Sequence, residues 1–212
     1  MKITIRNEQE KDFRRVEELT REAFWNLHVP GCDEHYLAHV MRNHPDFIGE
    51  LDLVAVYENE IIGNIMYTRS WLLDEFDNRI ETLTFGPISV LPQFQRKGVG
   101  SELIRYSAEI AAKNGKKAII IQGHPYNYCK HGFKSSKDFQ ISDIDGRFPY
   151  SLLVLELQKG VLQGHKWRYY YSDIYNLNPE DSIEFDKQFE PKKKEYKHTQ
   201  EEFSISCRAY LL

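Results

Sequence analysis

The sequence predicts an α/β domain built on a mixed β-sheet, and three observations support this prediction. Hydrophobic residues make up 41% of the 212-residue chain and aromatic residues 13%, which is enough for a packed core. A strand pattern, a glycine-containing loop, a helix pattern and a second strand pattern follow one another between Arg79 and Gly123. Such a crossover unit makes its two strands parallel. Strand patterns that favour antiparallel hairpins flank this unit, so the predicted sheet is mixed.

The chain before Arg79 alternates between strand and helix patterns. Alternating apolar residues predict strands, and apolar residues three and four positions apart predict helices. The predicted elements are, in order, a strand over Lys2–Arg6, helices over Asp12–Phe24 and Asp33–Asn43, and strands over Leu51–Glu58 and Ile61–Trp71. Asn59-Glu60 is expected to form the hairpin turn between the last two strands.

The crossover unit is predicted to consist of a strand over Arg79–Val90, a helix over Gly98–Asn114 and a strand over Lys116–Gly123. A brief turn or helix is expected around Pro125–Lys130, followed by a last strand over Tyr150–Gln158. Beyond Lys159 the chain is rich in aromatic and charged residues. We therefore divide it into a domain over residues 1–158 and an extension over residues 159–212 that packs on this domain.

Charge and hydropathy exclude several classes of protein. The 28 Lys and Arg residues are outnumbered by 32 Asp and Glu, giving a net charge of −4, so a nucleic-acid-binding protein is not expected. Apolar runs are far shorter than the ~20 residues of a membrane span, and the N-terminal residues do not resemble a signal peptide. Three widely spaced cysteines fit reduced thiols better than a disulfide framework. We expect a soluble cytoplasmic protein.

The loop before the predicted helix carries the clearest chemical signal. Gln95 to Gly100 read Q-x-x-G-x-G, and glycines at a helix start let backbone N–H groups converge on a pyrophosphate. A dinucleotide fingerprint would need a third glycine where Leu103 stands, and no P-loop motif occurs in the chain. For two glycines alone, a tight turn that binds nothing would remain the simpler interpretation.

A second motif changes this interpretation. Residues 128–133 read Y-C-K-H-G-F, and with the Q-x-x-G-x-G loop they resemble the GNAT (GCN5-related) N-acetyltransferase superfamily, including a subgroup of uncharacterised bacterial members. The resemblance implies the GNAT fold, with the parallel strands Arg79–Val90 and Lys116–Gly123 splayed around acetyl-CoA. The residues that it implies for binding acetyl-CoA are Ile88, Ser89, Val90, Gln95, Arg96, Lys97, Gly98, Val99, Gly100 and Ser101. Independently, Pro87 cannot donate to a β-ladder, so a bulge or gap is expected there.

The same resemblance implies that Tyr128 is the general acid, because it occupies the position of the tyrosine that serves as general acid in the family. The general base stays open. His124, which stands where the bacterial subgroup has Asp, and Glu81 are candidates, and a chain of water molecules is an equal alternative. Cys32, His35 and His39 have spacings that could hold a metal, but no fourth ligand is evident and no metal is predicted.

The predicted activity is direct transfer of an acetyl group from acetyl-CoA to an amine of a small molecule or peptide, by a monomer or homodimer. The resemblance further implies that the loop from Trp25 to Tyr36 lines the acceptor entrance, where Asp33 and Glu34 would favour a cationic acceptor. The alternative from another class of protein is a non-catalytic acyl-CoA-binding module that acts as a sensor or assembly partner. Turnover with any amine would distinguish the two.

Overall fold

The computed structural model describes residues 1–212, and its centre is a nine-stranded mixed sheet. The strands are β1 (Thr4–Asn7), β2 (Leu53–Tyr57), β3 (Glu60–Leu73), β4 (Arg79–Val90), β5 (Ala118–Gln122), β6 (Lys134–Ser135), β7 (Ile141–Ser142), β8 (Leu152–Glu156) and β9 (Trp167–Tyr171). The main strand order is β1-β2-β3-β4-β5-β8-β6, and β9 pairs with both β3 and β7. Only β4–β5 and β7–β9 are parallel, which confirms the predicted mixed and mostly antiparallel sheet.

Six helices accompany the sheet. They are α1 (Phe13–Phe24), α2 (Glu34–Met41), α3 (Val99–Lys113), α4 (Pro125–Tyr128), α5 (Pro179–Asp186) and α6 (His198–Arg208). The main core lies between the sheet and the buried sides of α1 and α3, as shown by the fully buried Leu19 and Leu103. None of the helices is both long and apolar enough to cross a bilayer.

The hairpin between β2 and β3 turns one residue earlier than predicted. Tyr57 pairs with Glu60, so Glu58 and Asn59 form the two-residue turn. Both have positive φ angles, 49° and 65°, as a type I′ hairpin turn requires. Asn59 is a residue type that tolerates this left-handed conformation well.

The extension contributes a strand that the sequence analysis did not predict. β9 lies in the extension and pairs with Ser70–Leu73 of β3. Trp167 and Tyr169 on β9 are buried against Leu72, Ile120 and Val154 in a second core. The extension therefore packs on the domain and adds to its sheet, although nothing in the sequence before Lys159 indicates its pairing partner.

Candidate functional site

β4 contains a bulge at Gly86-Pro87. Ile65 of β3 pairs with Ile88, while Tyr67, two residues further along β3, pairs with Phe85, three residues back on β4. β4 therefore carries one extra residue here, and the Gly86–Pro87 peptide bond is cis. The bulge expected from Pro87 is present.

Beyond this point β4 and β5 move apart. Leu83 and Ile119 are the only paired residues between the two strands. β5 is instead paired over its whole length with β8 on its other edge. A wedge-shaped gap thus opens between the C-terminal ends of two parallel strands, as the sequence analysis expected for Arg79–Val90 and Lys116–Gly123.

The backbone of β4 faces this gap at alternate residues. The N–H group of Leu91 donates to the carbonyl of Ile62 at 3.0 Å, so Leu91 and Ser89 direct their backbone groups toward β3. Ile88 and Val90, which alternate with them, direct theirs away from β3 and into the gap. On that side β4 pairs with β5 at Leu83 alone, so no neighbouring strand pairs with Ile88 and Val90 there. They are available to a ligand lying between the strands.

The Q-x-x-G-x-G loop lies at the mouth of the gap. Gly98 has a φ of +90° and caps α3, and none of the backbone N–H groups of residues 96–101 donates within the chain. A Cβ built on Gly100 would lie 3.7 Å from a methyl of Val90, so the loop contacts the gap-lining part of β4. The Gln95 side-chain amide donates to the Val90 carbonyl at 3.1 Å and fixes the loop there. Free N–H groups and the positive end of the helix dipole make this a favourable site for an anion.

Tyr128 lies at the end of α4, the short helix that follows β5. Its ring packs between Phe85 and Phe133, with centroid distances of 5.8 and 5.9 Å. Burial raises the pKa of Tyr128 to about 12. Its hydroxyl has no hydrogen-bond partner in the chain, so the phenol is a protonated donor that a ligand can use.

Gly123 allows this position of the Tyr128 ring. A Cβ at Gly123 would lie only 2.4 Å from a ring carbon of Tyr128. This close approach is the reason for a glycine here. Backbone conformation is not the reason, since the φ of Gly123 lies outside the left-handed region. The sequence pattern marks Gly123 only as the end of a strand, and no local signal in the sequence shows this contact.

The two predicted bases lie in different surroundings. His124 follows β5 and caps α4, where its Nδ1 accepts the backbone N–H of Tyr126 at 3.3 Å. A neutral ring in this arrangement carries its proton on Nε2, which then donates rather than accepts. Glu81 lies four residues from Phe85 along β4, about 13 Å away, and its carboxylate is 2.7 Å from Nζ of Lys116. The structure does not bring Glu81 to Tyr128.

The other predicted binding residues differ in how accessible their side chains are. The Ser89 hydroxyl is buried and donates to Thr20 of α1 at 3.2 Å, so this side chain does not reach the gap. Arg96 and Lys97 are exposed at the mouth of the gap, and Ser101 Oγ lies 3.4 Å from His131 Nε2. Burial, with Lys130 nearby, lowers the pKa of His131, so this ring is neutral next to the loop.

Cys32, His35 and His39 do not converge on one point. Cys32 Sγ lies 3.5 Å from His35 Nδ1, whereas His39 Nδ1 lies 2.9 Å from a carboxylate oxygen of Glu17. Burial raises the pKa of the Cys32 thiol, so the thiol stays protonated. A protonated thiol is a poor metal ligand.

The extension places two tyrosine hydroxyls beside the gap, and the sequence analysis missed both. The Tyr175 hydroxyl lies 3.3 Å from the Gly86 carbonyl and 3.2 Å from Thr68 Oγ1. Because a carbonyl can only accept, Tyr175 donates to Gly86 and Thr68 donates to Tyr175. Tyr169 bonds to Thr84 on β4 and donates to the Ile120 carbonyl on β5, where the strands begin to separate.

Known proteins resemble this chain in sequence and in fold. The sequence profile of the Acetyltransferase (GNAT) family matches residues 7–133. The uncharacterised N-acetyltransferase YjhQ of Escherichia coli strain K12 is 34% identical over 84 residues, which is 40% of this chain and 46% of that protein. The probable hydrolase YhcX of Bacillus subtilis strain 168 is 27% identical over 151 residues, 61% of this chain and 28% of that protein. The chain spans less than half the length of these curated relatives.

Two solved structures share the fold. The GNAT family N-acetyltransferase YhbS from Escherichia coli, in complex with CoA, has a TM-score of 0.70 at 19% identity, over 84% of this chain and 93% of that chain. A GNAT family acetyltransferase from Brucella melitensis, in complex with acetyl-CoA, has a TM-score of 0.66 at 20% identity, over 82% and 98%.

The fold is therefore that of the GNAT acetyltransferases, with the splayed parallel pair at its centre. Since the family profile matches more than half of its residues, the chain belongs to the Acetyltransferase (GNAT) family. The resemblance drawn from the Q-x-x-G-x-G loop and from Tyr128–Phe133 is confirmed.

Proposed function

We propose that this chain binds acetyl-CoA in the gap between β4 and β5 and transfers the acetyl group directly to an amine. The observation that carries the proposal is the separation of the two strands beyond Leu83 and Ile119, with the anion-binding loop in contact with the gap-lining part of β4. The pyrophosphate would bind the N–H groups of residues 96–101. The amides of the pantetheine arm would bind the backbone of Ile88 and Val90. The CoA complexes of YhbS and of the Brucella protein support this choice of donor.

The transfer step needs a neutral amine, an oxyanion donor and an acid. The amine nitrogen attacks the thioester carbonyl carbon, and the carbonyl electron pair moves onto oxygen. An N–H group of β4 in the gap, Ile88 or Val90, stabilises the resulting oxyanion. When the C=O bond re-forms, the C–S bond breaks, and Tyr128 donates its proton to the departing sulfur. The new amide nitrogen releases its extra proton to water, and the Tyr128 phenolate regains a proton from water.

We assign the removal of the amine proton to water. His124 uses Nδ1 in its helix cap and Glu81 is held by Lys116, so neither offers a free lone pair beside Tyr128. An amine of pKa ~10 is mostly charged at neutral pH, so the rate then depends on its neutral fraction. His124→Gln and Glu81→Gln should both retain the wild-type pH dependence. If the rise of the rate with pH disappeared in either variant, the substituted residue would be the general base.

Two measurements test the proposed function. Calorimetry should show acetyl-CoA binding to the wild type, and release of CoA thiol with a panel of amines should show turnover. Gly100→Val should weaken acetyl-CoA binding by about tenfold or more, because a branched side chain at the loop crowds Val90 and the pyrophosphate. Glu109→Val, an exposed position further along α3, is the matched control. Binding without turnover for any amine would instead favour a non-catalytic acyl-CoA-binding module.

A further inference from the structure

The C-terminal helix α6 begins on the loop that follows α1. Thr199 Oγ1 donates to the Leu27 carbonyl at 2.9 Å, and the buried Gln200 side chain donates to the Asn26 carbonyl at 3.1 Å. The Phe203 ring stacks on His28 with a centroid distance of 4.3 Å. The first half of α6 is thus fixed to the loop between α1 and α2.

The chain after α6 is fixed to a different part of the molecule, the segment that leads into β8. The Tyr150 N–H group donates to the Ala209 carbonyl at 2.9 Å, and the Leu211 N–H group donates to the Phe148 carbonyl at 2.8 Å. The guanidinium of Arg147 lies 4.4 Å from the centre of the Tyr210 ring. Both ends of α6 are therefore anchored, and α6 bridges the two attachment points.

These two attachment points belong to opposite sides of the gap. The loop at Asn26 follows α1, which packs on β4 through the bond from Ser89 to Thr20. The segment at Tyr150 lies at the end of β5, where the Gly123 N–H group donates to the Ser151 carbonyl at 2.9 Å. The 11 residues of α6 extend about 16 Å, so the helix crosses from the β4 side to the β5 side.

The first half of α6 is attached to the α1 side of the sheet, and the anion-binding loop lies on the other side. Side chains alternate along β4, with Ile88 and Val90 toward the start of α3 and Ser89 toward α1. A thioester that enters the gap from the α3 face must meet its acceptor from the α1 face. That approach runs beneath α6.

We infer that α6 roofs the acceptor side of the gap and restricts acceptors to small-molecule amines. The inference rests on the proposed function, because it takes the gap as the place of acetyl transfer. An amine on a small molecule passes beneath a helix that is held at both ends. A lysine on a bulky peptide brings its backbone against α6 and is excluded by steric clash.

The test uses two CoA conjugates and needs no turnover. In each, the CoA sulfur is joined through a –CH₂CO– group to an amine nitrogen, that of methylamine in one and the lysine Nζ of a cyclic decapeptide in the other. Calorimetry on the wild type should show the methylamide conjugate binding at least as tightly as CoA. The peptide conjugate should bind about tenfold or more weakly. Equal affinities for the two conjugates would overturn the inference without any variant.

A variant that loosens the attachment of α6 to the loop after α1 provides the second arm. Gln200→Ala combined with Phe203→Ala removes the contacts with Asn26 and His28, and should bring the two affinities within about threefold of each other. Glu201→Ala combined with Ile205→Ala changes only exposed positions of α6 and should keep the wild-type ratio. An unchanged ratio in the folded first variant would also overturn the inference. Turnover tests the proposed function separately. A failure of CoA itself to bind would overturn both the proposed function and the inference about α6.

Discussion

The Tyr128 ring is held in place by its neighbours, whereas its hydroxyl makes no hydrogen bond within the chain. Phe85 and Phe133 hold the ring on two sides, and Gly123 leaves it just enough space on a third. Since burial raises the pKa of this phenol to about 12, it keeps its proton throughout the neutral range. Packing thus determines both the position and the protonation state of the proposed acid.

Tyr128→Phe should lower kcat by about 10²–10⁴-fold and leave acetyl-CoA affinity unchanged, because only the proton donor is lost. Thioesters with a more basic leaving thiol should suffer more than those with an acidic one. Steady-state kinetics over a short thioester series, with calorimetry for affinity, measure both effects. Equal loss across the series would make Tyr128 a packing residue.

The pH profile follows from the same pKa. As pH rises, the acceptor loses its proton and the rate should increase, with a midpoint that moves with the pKa of each amine used. The rate is not expected to fall at any pH up to about 10, since Tyr128 with a pKa of about 12 stays protonated there. Initial rates for three amines of different basicity test this. A midpoint common to all three amines would point to a group on the protein.

Gly123→Ala should displace the Tyr128 ring, because the new Cβ would lie 2.4 Å from it. We expect a loss in kcat similar to that of Tyr128→Phe, while the anion-binding loop still binds CoA. Gly49→Ala is the control, since its Cβ would meet Phe47 at an ordinary 3.7 Å. Wild-type kcat in Gly123→Ala would show that the ring position is not needed for transfer.

At the scale of elements, β9 brings aromatic side chains of the extension into the second core. Trp167 is 4% exposed, and its Nε1 donates to the Leu162 carbonyl at 2.9 Å. Tyr169, two residues on, reaches both strands of the splayed pair. The extension therefore supports the sheet at the point where β4 and β5 separate.

Trp167→Ala should lower the free energy of unfolding by about 3–5 kcal/mol, because it leaves a cavity in the second core. Urea unfolding followed by far-UV circular dichroism measures the change. Tyr196→Ala, at a side chain that is 68% exposed in the same extension, should have little effect. Equal stability of the two variants would show that residues 159–212 are an independent appendage.

At the scale of the whole molecule, a buried histidine links the extension to α1 and α2. His35 is fully buried, with Nε2 3.0 Å from Asp186 of α5, which also pairs with Arg21 at 2.6 Å. Burial is the largest effect on His35 and lowers its pKa from 6.5 to about 4, despite the attraction of Asp186. The folded protein therefore favours the neutral ring.

Stability should fall as the pH decreases from about 6.5 toward 4, because the unfolded chain takes up a proton that folded His35 rejects. Between pH 7 and pH 5 the loss attributable to His35 should be about 2 kcal/mol. Urea unfolding at several pH values measures it, and His35→Gln supplies the comparison. The same pH dependence in the variant would mean that other groups cause the loss.

Local patterns in the sequence were enough to predict the crossover unit and its loop. Arg79–Val90 was predicted with its observed bounds, because a Pro-containing strand and a glycine-capped helix are signalled within a few residues. The bulge at Gly86-Pro87 and the start of α3 at Gly98 follow from backbone chemistry alone, since proline lacks a donor and glycine accepts positive φ. The general-acid role of Tyr128 was predicted from the family resemblance rather than from a local pattern.

Contacts between residues distant in sequence were decided only by the tertiary structure. The pairing of β9 with β3, the bond from Tyr175 to Gly86 and the bridge made by α6 each join the extension to residues far from it in the chain. No local pattern encodes such a partner, because hydrogen bonding and burial depend on which surfaces meet after the chain has folded. The sequence by itself thus determined the strand–loop–helix unit beside the gap between β4 and β5. The surroundings of the proposed acceptor side were determined by long-range packing of residues 159–212, whose aromatic composition predicted burial but not a partner.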